Sequence, residues 1–161
     1  MLALSVTPAA AQQRIVEVGI ENSLLDSLDA LADGATLEHV RCLMGVERND
    51  TLWIDHMYEP KITIAAPDSV VTAPCSKGTI ALWHNHTIRP ESVTPPEERC
   101  FLSPTDITTA LRGHAFIWIV QVTRDVVCWW THPQIAILVK YGPVILPIEG
   151  QVGRIPRRGK P

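Results

Sequence analysis

Two histidines separated by one residue are the first indication of chemistry in this sequence. His84 and His86 close the run GTIALWHNH, whose apolar residues predict a strand over residues 78–84. Side chains two residues apart on an extended chain point the same way, so both imidazoles can reach a single metal ion. Imidazole nitrogen is a preferred ligand of Zn²⁺. Taken alone, the pair is also compatible with two ordinary surface histidines.

A third candidate ligand lies in the segment FLSPTDI, residues 101–107. Ser103, Pro104 and Asp106 predict a helix start, with Ser103 as the N-cap and Asp106 as the capping-box acid. A carboxylate can cap a helix in this way and still face a metal ion. Two imidazoles and one carboxylate leave a fourth zinc position for water, which is the pattern of catalytic zinc sites.

Glu38 is the candidate proton carrier. It lies at the start of a predicted strand over residues 37–46, after a predicted helix. Zinc lowers the pKa of a bound water to about 7, and a glutamate outside the ligand set can accept the released proton. By itself, Glu38 is more typical of a solvated surface acid than of a catalytic one.

The elements that must position these residues can be predicted from hydrophobic periodicity. Residues 20–33 predict an amphipathic helix, because Ile20, Leu24, Leu28 and Leu31 form one apolar stripe. The order of elements predicts an α+β domain with a mostly antiparallel or mixed sheet flanked by helices. The other predicted elements are strands at 37–46, 52–58, 78–84 and 135–139, a helix at 103–113, a hairpin of 115–122 and 126–131, and an ambiguous segment at 63–75.

Length and charge limit the number of domains and the kinds of partner that this chain can have. A chain of 161 residues that is 46% hydrophobic suits one domain with a real core. We predict a flexible leader or signal remnant at 1–14, a catalytic domain at 15–150 and a basic flexible tail at 151–161. The net charge of −3 gives no general attraction to nucleic acid or an acidic membrane. No stretch approaches the ~20 apolar residues of a membrane span, so we expect neither nucleic acid nor a membrane as partner.

The four cysteines, at positions 42, 75, 100 and 128, form no C-x-x-C pair, so a four-cysteine zinc site is not indicated. Three lie in apolar or strand-like surroundings, where a free cysteine behaves as a small hydrophobe. We therefore expect free thiols and a reducing, cytoplasmic compartment. The alternative is periplasmic, because the small residues at positions 9–11 resemble the end of a secretory signal. The basic start of such a signal is missing, since the first Lys or Arg is Arg14.

Together these motifs resemble the JAMM (MPN-plus) family of zinc metallopeptidases, in its small prokaryotic, deubiquitinase-like form. The family places a glutamate at the start of a strand after its first helix. A glycine, an H-x-H motif and an S-x-x-D motif that opens a helix then follow. The resemblance covers roughly residues 20–131. The matching residues are Glu38 with Gly45, His84 with His86, and Ser103 with Asp106.

This resemblance implies a role for each matching residue. His84, His86 and Asp106 would hold one Zn²⁺ per chain. Glu38 would act first as general base and then as general acid, and Ser103 would donate a hydrogen bond to the oxyanion. The implied architecture is the MPN, cytidine-deaminase-like fold.

The sequence departs from the family pattern in three places. Arg41 stands where the family usually has Gly, and Thr87 where it usually has Pro. The gap between the histidines and Asp106 is longer than usual, and the usual gap would end at Glu97, which is the alternative third ligand. We favour Asp106, because it lies at a predicted helix start, whereas Glu97 lies among prolines and charges.

The function that the resemblance implies is a zinc-dependent isopeptidase or peptidase. It would cleave the bond after the C-terminal tail of a ubiquitin-like protein, in deconjugation or precursor processing. The expected partner is a ubiquitin-like protein or its conjugate, with E1- and E2-like enzymes from the same operon as candidate companions. Two alternatives stay open: a phage-tail or cell-wall peptidase with the same site, and a non-catalytic MPN scaffold module.

Overall fold

The computed structural model describes residues 17–48, 51–66, 69–87, 94–133, 135 and 151–153. Most of the regular structure in these ranges is β-strand. The strands are β1 (Glu17–Ile20), β2 (Val40–Arg48), β3 (Thr51–Tyr58), β4 (Ile62–Ala66), β5 (Ser69–Thr72), β6 (Thr79–Asn85), β7 (Ile117–Gln121), β8 (Val127–Thr131) and β9 (Gln151–Gly153). The α-helices are α1 (Asn22–Ala32) and α2 (Pro104–Arg112), and a 3₁₀-helix spans Pro96–Arg99.

One mixed sheet of seven strands organises the domain, in the order β1-β3-β2-β6-β7-β8-β9. The pairs β1–β3 and β6–β7 are parallel, and the other neighbours in this sheet are antiparallel. The strands β4 and β5 form a separate antiparallel pair. The prediction of an α+β domain with a largely antiparallel mixed sheet is therefore confirmed.

The two faces of the central strands carry two apolar cores. Along β6, Trp83 packs in the core that contains Leu25 and Leu28 of α1, while Leu82 packs in the core that contains Ala110 of α2. Because side chains alternate along a strand, α1 and α2 cover opposite faces of the sheet. Strands covered on both faces read as continuous apolar runs, which explains the sequence of β6. Full burial of a Leu side chain such as Leu28 contributes about 1.5–3 kcal/mol.

Gly45 marks an irregularity between β2 and β3. The register of the two strands shifts between Met44 and Gly45, as at a β-bulge. A Cβ atom added at Gly45 would overlap the backbone of Trp53. Only glycine permits this close approach of the two strands, so a packing requirement accounts for this residue of the motif.

Most of the predicted elements are confirmed, with boundaries displaced by a few residues. The ambiguous segment 63–75 contains most of the β4–β5 pair. The short edge strands β1 and β9 were not predicted, and β9 occupies residues 151–153 of the segment predicted as a flexible tail. Ile135 is helical rather than extended, so the predicted last strand is wrong at its first residue, and residues 136–139 lie outside the described ranges. The leader 1–14 and residues 154–161 of the tail also lie outside them. No helix in the described ranges has both the length and the apolar character needed to cross a bilayer.

The prediction of free cysteines is wrong. Cys42 is bonded to Cys75, and Cys100 to Cys128, so all four thiols are paired. The Cα atoms are 5.8 Å apart in each pair, within the usual range for a disulfide. The partners are 33 and 28 residues apart in sequence, and only the folded sheet brings them together.

Candidate metal centre

The site forms where the start of β2 meets the end of β6. These strands are antiparallel, and Val40 lies opposite His84. Residues that precede Val40 therefore lie beside residues that follow His84, and the Asn85 amide donates to the His39 carbonyl at 3.3 Å. This register carries Glu38, from far away in the sequence, to the H-x-H motif.

The His84 and His86 rings each turn their Nε2 atom toward the other ring. Their Nε2 atoms are 3.3 Å apart, and the His84 Nε2 is 3.6 Å from Oδ2 of Asp106. The other nitrogen of His86, Nδ1, donates to the Arg99 carbonyl at 2.8 Å. Because a carbonyl only accepts, this bond fixes the proton on Nδ1 and leaves the lone pair on Nε2 facing the cluster. Metal-binding histidines are commonly oriented in this way.

The start of α2 supplies the carboxylate. The Ser103 amide donates to Oδ2 of Asp106 at 2.8 Å, and the Asp106 amide donates to Oγ of Ser103 at 3.1 Å. This reciprocal pair is the predicted capping box, now confirmed. It holds the Asp106 side chain over the helix N-terminus. Oδ2 of Asp106, which accepts from the Ser103 amide, is also the oxygen that faces His84. The hydroxyl hydrogen of Ser103 is not needed for the cap and can be donated elsewhere.

Burial and charge set the protonation of the three groups. Burial would lower the pKa of His84, but the carboxylates of Asp106 and Glu38 raise it above its ordinary value. Burial and the adjacent His84 lower the pKa of His86 to about 4. For Asp106, burial raises the pKa, while His84 and Ser103 lower it by more, so it lies well below the usual range. Near neutral pH His86 is therefore neutral and Asp106 is ionised, the states in which they bind metal.

The donor set fits a metal ion. One ligand atom from each of His84, His86 and Asp106 lies within 4.8 Å of the others. Two imidazole nitrogens and a carboxylate oxygen are ligands that divalent transition metals accept. Three protein ligands leave at least one coordination position open. The three residues predicted as ligands can thus hold one ion together.

A pocket of about 500 Å³ opens beside this cluster. Glu38, Ser103, His86 and Asp106 all line it, while His84 is buried, with 3% of its surface exposed. The four predicted residues around the pocket therefore face one common space. The remaining lining residues are Val70, Thr87, Thr94, Glu98, Arg99, Phe101 and Thr105.

The alternative third ligand, Glu97, belongs to the 3₁₀-helix Pro96–Arg99. Its side chain lies outside the described part of the structure. The next residues of that helix do reach the site, because Glu98 and Arg99 line the pocket. The described part of the segment before α2 therefore lies beside the candidate metal site at Glu98 and Arg99.

Two residues of the site were not predicted from the sequence. The Arg99 carbonyl orients His86, and a backbone group leaves no mark in a sequence motif. Asn85, between the two histidines, is fully buried. The sequence does contain a signal for Asn85, because an amide side chain that is buried in an apolar strand requires hydrogen-bond partners.

Comparison with protein families and with curated proteins gives no match for this chain. No protein-family model matches it, and no curated protein matches it significantly. The chemical interpretation of the site therefore depends on its donor set and geometry.

Proposed function

We propose that this protein is a zinc-dependent hydrolase of peptide or isopeptide bonds, with the JAMM-type fold. The observation that carries the proposal is the convergence of three distant segments on one pocket. His84 comes from β6 and His86 from the residue that follows it, Asp106 and Ser103 come from the start of α2, and Glu38 comes from the segment before β2. A hydrolytic metal site needs each of these parts: three ligands, a proton carrier and a donor to the developing charge.

The residues of the chain have separate tasks in this proposal. When bound, zinc lowers the pKa of water and polarises the scissile carbonyl. The Glu38 carboxylate accepts a proton from the attacking water and returns it to the leaving amine. The Ser103 hydroxyl donates to the carbonyl oxygen as negative charge develops there. Asp106 stays ionised because the capping box and His84 favour its charged form.

The leading substrate is the C-terminal tail of a ubiquitin-like protein, joined to a target or to the rest of its precursor. This assignment comes from the resemblance of the motifs. The walls of the pocket are compatible with an extended peptide, since Val70 and Phe101 offer apolar contact and three threonines, Glu98 and Arg99 offer polar groups. The ring of Phe101, half exposed, lies against His86 with 5.1 Å between ring centroids.

The disulfides favour a second candidate. Disulfides persist in oxidising compartments such as the periplasm and are rare in the cytosol. The pairs Cys42–Cys75 and Cys100–Cys128 therefore support a location outside the cytoplasm, in place of the expected cytoplasmic one. A peptidase at such a location meets cell-wall peptides, so a cell-wall type of substrate is the alternative for the same site.

One assay separates these proposals. Zinc-loaded wild-type protein and the Glu38→Gln variant would be incubated with a ubiquitin-like protein fused through its tail to a reporter, and with cross-linked cell-wall stem peptides. Cleavage of the fusion by wild type alone supports the first substrate, and cleavage of the stem peptides supports the second. If zinc-loaded wild type cleaves neither substrate, the hydrolase proposal fails and the scaffold alternative is favoured.

A further inference from the structure

We propose that Asn85 is a positioning residue that holds Glu38 in place for proton transfer. The inference rests on the proposed hydrolase function and assigns a role to the residue between the two histidines. The side chains of β6 alternate, so His84 and His86 point to one face while Asn85 points to the other. A single strand end can therefore serve both the metal and the proton carrier.

The contacts of Asn85 fall on the two neighbours of Glu38. The His39 amide donates to Oδ1 of Asn85 at 2.6 Å, and Nδ2 of Asn85 donates to the Leu37 carbonyl at 3.3 Å. The backbone amide of Asn85 donates to the His39 carbonyl at 3.3 Å. The residues on both sides of Glu38 are thus tied to the strand that carries two metal ligands.

The two side-chain bonds from Asn85 to Leu37 and His39 form a clamp on the Glu38 segment. The position of this clamp explains why a side chain is needed to hold the segment. The strand β2 begins at Val40, and residues 37–39 precede it in irregular structure. One backbone bond, from the Asn85 amide to the His39 carbonyl, continues the pairing of β2 and β6 into this segment, and the bonds to the Leu37 carbonyl and the His39 amide come from the Asn85 side chain. The carboxamide has one acceptor and one donor group, and it extends the pairing by two bonds beyond the strand. Leu37 is 49% exposed, so little apolar packing fixes this segment in its place.

The burial of Asn85 makes the clamp rigid. Its side chain is fully buried, and no solvent can replace its bonds to Leu37 and His39. A shift of the Glu38 carboxylate by about 1 Å is enough to cost roughly 100-fold in a reaction that depends on orientation. In this proposal Asn85 contributes to the separation of Glu38 from the metal ligands through its bonds to His39 and Leu37.

The test compares Asn85→Ala with a matched control, Gln121→Ala. Gln121 is also a fully buried amide, lies opposite Asn85 in the neighbouring strand β7, and bonds Trp83 and Asp29 rather than the Glu38 segment. We expect Asn85→Ala to lower kcat about 10–100-fold with KM and zinc content unchanged. Gln121→Ala should lose thermal stability but keep kcat within about twofold of wild type.

Two further measurements separate positioning from general damage. In the Glu38→Gln background, Asn85→Ala should cause no further loss, because both changes act on the same proton transfer. Hydrogen exchange at the His39 amide should become at least tenfold faster in Asn85→Ala and stay unchanged in Gln121→Ala. If Asn85→Ala does not fold, Asn85→Asp keeps the acceptor for His39 and should show a partial loss of kcat with His39 still protected.

The outcomes distinguish this inference from the proposed function. An unchanged kcat in Asn85→Ala, or a loss that follows loss of zinc, would overturn the positioning role. If zinc-loaded wild type cleaves neither the ubiquitin-like fusion nor the stem peptides, the hydrolase proposal fails. The His39 exchange then still decides whether Asn85 clamps the segment, and slow exchange in Asn85→Ala would reject the clamp.

Discussion

His84 and His86 lie with their Nε2 atoms 3.3 Å apart, and the Nδ1 of His86 is committed to the Arg99 carbonyl. A proton on the His84 Nε2 can bridge the two nitrogens as a hydrogen bond, and a metal ion bound to both lone pairs would take the place of that proton. The carboxylate of Asp106, 3.6 Å from the His84 Nε2, adds a negative charge to the same point. This arrangement is the physical reason for placing a metal ion there.

Removal of metal should destabilise the folded protein. An ion that binds only the native state adds about 2.7 kcal/mol of stability when its free concentration is 100 times Kd. For a domain of this size that corresponds to a rise in Tm of roughly 5–11 °C. Thermal unfolding with zinc and with a chelator measures the difference. The variant His84→Ala/His86→Ala should show no such shift, and a shift of equal size in this variant would locate the stabilising ion elsewhere.

Glu38→Gln should reduce turnover strongly, to a low but measurable rate, and leave zinc content near the wild-type value. The amide fills the same space but cannot accept a proton, and general acid–base groups typically contribute about 10²–10⁴-fold in rate. Steady-state kinetics and metal analysis on the same preparations check both parts. Activity within a few fold of wild type would exclude Glu38 from proton transfer.

Asp106→Asn should weaken zinc binding more than it weakens the fold. The amide oxygen can still accept from Ser103 and cap α2, but the amide nitrogen or a neutral oxygen is a poorer metal ligand. The matched control is Glu97→Gln, which removes the alternative acid. Competition with a zinc chelator would measure both affinities. Weaker binding in Glu97→Gln, with Asp106→Asn unchanged, would assign the third ligand to Glu97.

Loss of the Cys100–Cys128 disulfide should affect the metal site as well as the fold. Cys100 directly follows Arg99, whose carbonyl orients His86, and it precedes the capping box that holds Asp106. The variant Cys100→Ser/Cys128→Ser should therefore bind zinc more weakly.

The control for this prediction is Cys42→Ser/Cys75→Ser. Its disulfide closes a loop of similar length, and each bond contributes about 3–4 kcal/mol in the chain-entropy model. Both variants should lose similar stability in urea unfolding, while only the first loses zinc affinity. Equal zinc affinity in the two variants would show that the Cys100–Cys128 bond supports the fold alone.

The sequence was sufficient to predict the parts of the site that depend on local spacing. His84 and His86 share a direction because they are two apart on a strand, and Ser103 and Asp106 meet because a capping box spans three residues. Those geometries are set by the backbone of one element.

The parts that sequence reasoning missed depend on how distant segments meet. The bond from His86 to Arg99, the clamp of Asn85 on residues 37 and 39, and both disulfides require the strand order and register. The edge strand β1 was missed because four residues carry too little periodic signal. Hydrophobic patterns identify which elements form, whereas the pairing of strands depends on packing across the whole sheet.

Metal analysis of the purified protein tests the central claim most directly. Wild-type protein prepared without chelators should contain about one zinc ion per chain, because His84, His86 and Asp106 form one ligand set. The variant His84→Ala/His86→Ala should contain almost none, since it keeps only one of the three ligands. Wild-type protein with no bound metal, or a double variant with undiminished zinc, would contradict the account.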